Sequence, residues 1–166
     1  MNNLSTTFAG LTLRNPFIVS SSGLTDTAPK CLILEEAGAG AVVLKSIFEE
    51  QIMQEHDRWY DPANAGGDDY LRTYLRANSL SEHIGLIEEA KRLCSIPIIA
   101  SINCSTRSEW VEYASLIEKA GADALELNIM EVMTDLDYEY GAYERKHIEI
   151  LNRVRQYVRL PIIIKL

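Results

Sequence analysis

The sequence predicts an α/β chain that carries an N-terminal hairpin and about five of the eight strands of a (β/α)8 TIM barrel. Three observations lead there. Ala120 to Asn128, Ala-Gly-Ala-Asp-Ala-Leu-Glu-Leu-Asn, is echoed by Ala37 to Lys45, Ala-Gly-Ala-Gly-Ala-Val-Val-Leu-Lys, with the same helix-stopping glycine, apolar strand and polar last residue. Ile96-Pro97-Ile98-Ile99-Ala100-Ser101 is echoed by Leu160-Pro161-Ile162-Ile163-Ile164-Lys165. Neither spacing is a tight solenoid period, so both pairs read as alternate strands of one repeated βα architecture. Finally, the strands are near-continuously apolar with helices between them, the pattern of a parallel sheet covered on its outer face.

The elements follow in order. Thr6 to Phe8 and Leu11 to Leu13 flank Ala9-Gly10 as a small hairpin. After Asn15-Pro16, Phe17 to Ser20 is a strand that runs into Ser21-Ser22-Gly23, small residues that let a ligand come close to the backbone. Pro29 suits the first turn of a helix with Cys31, Leu32, Leu34 and Ala37 on one side, and Gly38 ends it. Ala41 to Leu44 is the second strand, closing on Lys45-Ser46.

Ile47 to Ser81 reads as a long loop rich in Asp, Gly, Asn and Tyr, by its length a lid, a binding loop or else a disordered stretch, in which Tyr70, Leu71, Tyr74 and Leu75 form one amphipathic turn. Ser81-Glu82 then caps a helix to about Leu93, and Pro97 opens the third strand, which ends at Ser101-Ile102-Asn103-Cys104. Ser105 or Thr106 caps a helix with Trp110, Ala114, Ile117 and Ala120 at helical spacing, and Ala124 to Leu127 is the fourth strand, ending on Asn128. Ile129 to Gly141 is an acidic, aromatic loop, whose Tyr-rich run Asp135 to Tyr140 reads most simply as a solvated loop or, by its position over the mouth, as a lid. Tyr143 to Val158 is a helix with Ile148, Leu151, Val154 and Val158 on one stripe, and Ile162 to Ile164 is the fifth strand, ending on Lys165.

With 166 residues and 47% hydrophobic content, the chain reads as one domain, 1–166, able to bury a real core. A net charge of -8 without a Lys/Arg run argues against nucleic acid as a partner. The first residues lack a basic and then apolar leader, and no apolar run reaches the roughly 18 residues of a membrane span, so the expectation is a cytoplasmic protein with no membrane partner. Cys31, Cys94 and Cys104 have neither disulfide nor zinc spacing and read as small buried thiols; no metal site is expected. His56, His83 and His147 each stand alone, as surface or capping residues, and Trp110 reads as helix core while Trp59 lies on the loop.

An open doubly wound sheet would carry a Gly-rich phosphate turn after its first strand, and Ser20-Ser21-Ser22-Gly23-Leu24 is not one. A barrel instead gathers its chemistry at the C-terminal ends of many strands, where Ser22, Lys45, Ser46, Asn103, Asn128 and Lys165 fall. Lys45 and Lys165 follow apolar strand residues, so each must reach the barrel mouth or be buried unpaired at considerable cost. Two such lysines beside Asn128 describe a positive, hydrogen-bonding floor for an electron-rich ring, unless each simply snorkels to solvent from a strand end.

Five ordered stretches carry a resemblance: Asn15-Pro16-Phe17 to Ser22-Gly23, Gly40 to Ser46, Ile99 to Ile102, Gly121 to Asn128, and Pro161 to Leu166. Together they resemble the N-terminal portion of the FMN-dependent dihydroorotate dehydrogenase family, and Ile98 to Trp110 is also similar to the flavin domain of dihydropyrimidine dehydrogenase. The resemblance implies a barrel with FMN at its mouth, a small-molecule substrate of dihydropyrimidine type stacked on the flavin, and hydride transfer between them. Ser22 and Gly23 would approach the flavin edge, Lys45 and Ser46 would contact the ring and its substrate side, and Asn128 would hydrogen-bond ring or substrate. Lys165 would lie against the polar flavin edge, where a cation stabilises the charge of the reduced ring.

Two features depart from the family pattern. After the fourth strand the family has Asn-Leu-Ser-Cys-Pro-Asn, with the cysteine, or a serine elsewhere, as base; here the run is Asn128-Ile129-Met130-Glu131-Val132-Met133. Glu131 thus takes the cysteine's place, either as a substitute base or as an exposed loop glutamate. The long loop keeps only Asn78-Ser79-Leu80 as a faint remnant of the family's substrate motif. The chain also stops at the fifth strand, which suggests either the first part of a longer product, the favoured reading, or association with another copy, as a homo-oligomer, or with a partner that completes the barrel. Two other functions stay open: a barrel lyase or aldolase using Lys165 as a Schiff-base amine, and a non-catalytic fragment or subunit that binds a partner.

Overall fold

The computed structural model describes residues 4–48, 68–104, 107–129 and 139–166. A short antiparallel hairpin, β1 (Thr6–Phe8) and β2 (Leu11–Leu13), leads into the main sheet. The sheet is built from β3 (Ile18–Val19), β4 (Ala41–Val43), β5 (Ile47–Phe48), β6 (Ile98–Asn103), β7 (Ala124–Asn128) and β8 (Ile162–Lys165). Among the described residues four helices intervene: α1 (Ala28–Glu36), α2 (Asp68–Leu93), α3 (Arg107–Lys119) and α4 (Ala142–Val154). Among the described residues no helix is long and apolar enough to cross a membrane.

Strand order decides between the two architectures left by the sequence. The sheet runs β3-β4-β6-β7-β8, every pair parallel and in chain order, with β5, which follows β4 in the chain, also pairing β6. A doubly wound sheet reverses direction at a switch point, whereas sequential parallel strands are the arrangement of a barrel wall. The chain forms about half of such a wall.

Alternation along the strands gives the wall two faces. Val42, Ile98, Ala100, Ile102, Leu125 and Leu127 pack outward against the helices in one large core. Ala41, Val43, Ile99 and Ala124 face inward in a second, smaller cluster closed by Leu13 of the hairpin. The hairpin therefore floors the inner face at the N-terminal ends of the strands.

The repeated Ala-Gly-Ala sequence is a repeated joint. Gly38 and Gly121 both take positive φ, 106° and 88°. In the first, Gly38 N–H donates to Glu35 O and Ala39 N–H to Leu34 O; in the second, Gly121 N–H donates to Glu118 O and Ala122 N–H to Ile117 O. Both are Schellman closures, which need a residue in the left-handed region and satisfy the last helical carbonyls. Each turn then feeds directly into β4 or β7.

Side chains tie these joints to the sheet. Asn15 Nδ2 donates to Gly38 O at 2.8 Å and Arg14 Nε to Ala39 O at 2.8 Å, anchoring the hairpin to the end of α1. Lys91 Nζ reaches both oxygens of Asp123, at 2.8 and 2.7 Å, while Asp123 Oδ2 also accepts from Ile98 N–H at 2.7 Å. That carboxylate links the end of α2 to the starts of β6 and β7.

Several expectations are corrected. Ser81 does not cap a helix: α2 already begins at Asp68, so much of the expected loop before Ser81 is helical. Its core stripe is Leu80, His83, Ile87 and Ala90, continued by Cys94 just past the helix end. Tyr70 and Tyr74 lie on the helical stretch before Ser81 largely exposed, whereas Leu75 of the expected turn packs against the core. Val154 and Val158 of the expected stripe are buried, but on α4 the other buried positions are His147 and Ile150, one step round from the expected Ile148 and Leu151, and Ile148 is exposed. His83 and His147 are thus core residues, not surface or capping ones. The three cysteines are free and buried, and Trp110 is core, as the sequence indicated. The expected caps at Ser105 or Thr106, and His56, Trp59 and residues 135–138 of the Tyr-rich run, lie outside the described residues.

Candidate functional site

The inner face changes character along the strand direction. On β6 it reads Ile99, Ser101, Asn103; on β7, Ala124, Glu126, Asn128; on β8, Ile163, Lys165. Each strand passes from apolar at the floor to polar at its C-terminal end. Ser101, Asn103, Glu126 and Asn128 are all buried.

A slip in register brings a further residue into this layer. β4 pairs Val43 with Ile99, but β5 pairs Ile47 with Ile102, so one extra residue is accommodated between them. The kink sets Ser46 beside Ser101, with their hydroxyl oxygens 2.7 Å apart, while Lys45 stays exposed.

A continuous polar chain crosses the inner face. Ser46 N–H donates to Ser21 Oγ at 2.9 Å, and the two hydroxyls stand 3.0 Å apart. Ser46 then meets Ser101, Ser101 Oγ donates to Glu126 Oε1 at 2.7 Å, and Lys165 Nζ lies 3.0 Å from the same oxygen. Asn128 is the register partner of Lys165 on the neighbouring strand.

The turn after β3 is held by its own polar groups. Ser22 N–H donates to Thr25 Oγ1 and Leu24 N–H to Ser22 Oγ, at 3.1 and 3.2 Å, while Lys45 N–H donates to Thr25 O at 3.1 Å. Ser22 and Lys45 are thereby joined through the fully buried Thr25. Gly23 is exposed and its carbonyl accepts from Lys30 Nζ at 2.9 Å.

Of the residues singled out in the sequence, Ser46 and Lys165 enter the central chain, Asn128 adjoins it, and Ser22, Gly23 and Lys45 line its first end. Glu131 lies outside the described residues. Sequence reasoning passed over Ser21, Ser101 and Glu126. Their signal was available in the alternation: a glutamate two residues after an inward alanine on an otherwise apolar strand must face inward too.

Titration elsewhere bears on which groups can act. Burial holds His83 down at about 4, so its imidazole is neutral near neutral pH. Burial, and next the charge of Glu35, push the Cys94 thiol up to about 11, and burial, with Asp26 second, raises Cys31. These thiols are poor nucleophiles. No group of three or more His, Cys, Asp or Glu among the described residues could hold a metal. The clefts beside Trp110 and beside Leu80 and Tyr113 lie among the helices, away from the inner face.

No family model matches the chain. It is 32% identical, over a 172-residue alignment covering all of this chain and 54% of the relative, to the catalytic subunit of dihydroorotate dehydrogenase B (NAD(+)) from Thermoplasma volcanium. The chain is a relative of the dihydroorotate dehydrogenases. The corresponding subunit from Methanosarcina acetivorans is 35% identical over 126 residues, 72% of this chain and 38% of that protein. The NAD-dependent dihydropyrimidine dehydrogenase subunit PreA of Escherichia coli is 28% identical over 132 residues, 76% of this chain and 32% of the subunit. This dihydroorotate dehydrogenase-like chain spans about half the length of its first relative.

Solved structures agree on the fold. A dihydrodipicolinate synthase from Acinetobacter baumannii superposes with a TM-score of 0.55 at 17% identity, covering 89% of this chain and 44% of that one. An IMP dehydrogenase/GMP reductase-like protein from Corynebacterium glutamicum gives 0.53 at 13% identity, covering 99% and 43%. Both are TIM-barrel proteins.

Proposed function

We propose that this chain supplies the flavin-holding strands of a dihydroorotate dehydrogenase-like oxidoreductase that passes hydride between a dihydropyrimidine-like small molecule and FMN. The observation that carries the proposal is the inner face itself, apolar at the floor and polar at the mouth, with Lys45, Asn128 and Lys165 at its rim. The relatives' names supply the reaction class.

The residues present fit the ring of FMN. An isoalloxazine presents carbonyl oxygens and ring nitrogens along one edge, and the rim offers two ammonium groups, a carboxamide and serine hydroxyls as partners. When bound, FMN accepts or returns the hydride. Lys165 would hold a positive charge against the pyrimidine edge of the ring, and Asn128 beside it would orient ring or substrate. Lys45 and Ser46 would bound the substrate side, and Ser22 with Gly23 would let the ring edge approach the backbone. Glu131 is the candidate base in this reading.

The Schiff-base alternative is less well supported. It needs Lys165 as a free neutral amine, whereas its nitrogen is engaged with the Glu126 carboxylate. A closed barrel needs further strands, which a longer chain or a second copy in a homo-oligomer would provide; gel filtration of the purified protein separates the two.

The decisive test is an absorbance spectrum of the purified protein with and without added FMN. Flavin bands that stay with the protein through gel filtration support the proposal. A folded protein that remains colourless with excess FMN overturns it.

A further inference from the structure

We propose that Glu126 is the positioning residue for Lys165, fixing where the ammonium stands at the mouth; its bearing on flavin rests on the function proposed above. A lysine is a point charge on a flexible four-carbon stem, and its position is worth little to a ligand unless something holds it. Glu126 is built to do so. Its side chain is 9% exposed, against 42% for Lys165, so the carboxylate is the buried partner and the lysine the more open one.

The geometry runs backward along the strand. Lys165 is level with Asn128, and Glu126 is level with Ile163, so the lysine reaches one inward step toward the floor to meet the carboxylate. An ammonium has three N–H donors, and one directed at Glu126 leaves two for the mouth. A buried carboxylate is costly unless paired and hydrogen-bonded, and an apolar residue would fill the same place more cheaply. Its presence beside a half-exposed lysine points to a task at the site.

The carboxylate also sets the direction of the serine chain. Ser101 has one hydroxyl proton and gives it to Glu126 Oε1. Ser46 must then donate to Ser101, and Ser21 to Ser46, while Ser21 Oγ accepts the Ser46 N–H. Glu126 is the terminal acceptor of hydrogen bonds that begin on the turn after β3 and end at Lys165 on β8. Residues from both ends of the described wall are thus held in one arrangement by a single oxygen.

The test measures the lysine without relying on flavin. Glu126→Gln and Glu126→Asp are compared with the parent protein for the rate at which an amine-acylating reagent labels Lys165, read by peptide mass spectrometry, with Lys45 as the internal reference. The expected order is Glu126→Gln fastest by several-fold, Glu126→Asp intermediate and the parent slowest, with the Lys45 rate unchanged. If Glu126→Gln fails to fold, Glu126→Asp alone must still label Lys165 faster than the parent. An unchanged Lys165 rate in a folded variant overturns the inference.

FMN titration of the same proteins separates this inference from the proposed function. Weaker FMN binding in Glu126→Gln, recovered in Glu126→Asp, supports both. Faster labelling in a protein that never binds FMN supports the positioning role and defeats the flavin reading. FMN binding with unchanged labelling defeats the positioning role alone.

Discussion

Glu126 Oε1 lies 3.0 Å from Lys165 Nζ and joins the fourth and fifth main strands through their side chains as well as their backbones. The partly open ammonium limits what that ion pair contributes, because solvent screens it. A double-mutant cycle with Glu126→Gln and Lys165→Met should give a coupling of about 1 kcal/mol in chemical denaturation, falling with added salt. A coupling near zero at low salt would show that the pair contributes no net stability.

Gly40 should not tolerate a side chain. A Cβ there would lie 2.3 Å from the Asn15 backbone oxygen and 2.7 Å from Asn15 Oδ1, and Gly40 N–H is already fixed to Phe17 O at 2.7 Å. The obstacle is mostly backbone, which cannot rotate away. Gly40→Ala should cost about 1–3 kcal/mol or more in urea denaturation, whereas an unchanged midpoint would mean that the hairpin lifts off freely.

His83 should make the fold sensitive to mild acid. Its imidazole titrates at about 4 in the folded chain against 6.5 for the free side chain, because burial disfavours the charged form. Between those values the unfolded state binds more protons, so stability rises with pH across the window and falls as pH drops from 6.5 toward 4. The full effect is about 3 kcal/mol. His83→Leu, keeping an apolar group in the stripe, should flatten that part of the pH profile measured by urea denaturation.

Asp123 joins three elements through one carboxylate. Asp123→Ala should destabilise the chain by about 2 kcal/mol, since it strands the Ile98 N–H and frees Lys91. Amide exchange should speed most at Ile98 and the start of β6; uniform acceleration across the sheet would argue for global loosening instead.

The fold was largely legible because its signals are local and repeated. The Gly38 and Gly121 stops and the apolar strands announce themselves in short windows, and the structure places both glycines at positive φ as those windows require. The start of α2 was not legible, because polar side chains on its exposed extension look like loop composition and only tertiary packing of Leu80, His83 and Ile87 reveals the stripe. The same bias misplaced the stripe of α4, where a histidine occupies a core position and Ile148 does not. At the site, strand-end residues were easy to find because they break an apolar run. Glu126 was harder: it lies inside the run, and its meaning depends on Lys165, which is distant in sequence and adjacent only through the register of β7 and β8.

The sequential strand order has a consequence for how the chain comes together during synthesis. Among the described elements, each main strand pairs with the main strand that precedes it in the chain. The sheet can therefore grow by accretion as the chain emerges, each βα unit docking on an edge already formed and exposing a new one. The cost of that route is that every stage presents an unpaired parallel edge, so the step at which β6 covers β4, after the longest excursion, is where aggregation during folding would concentrate.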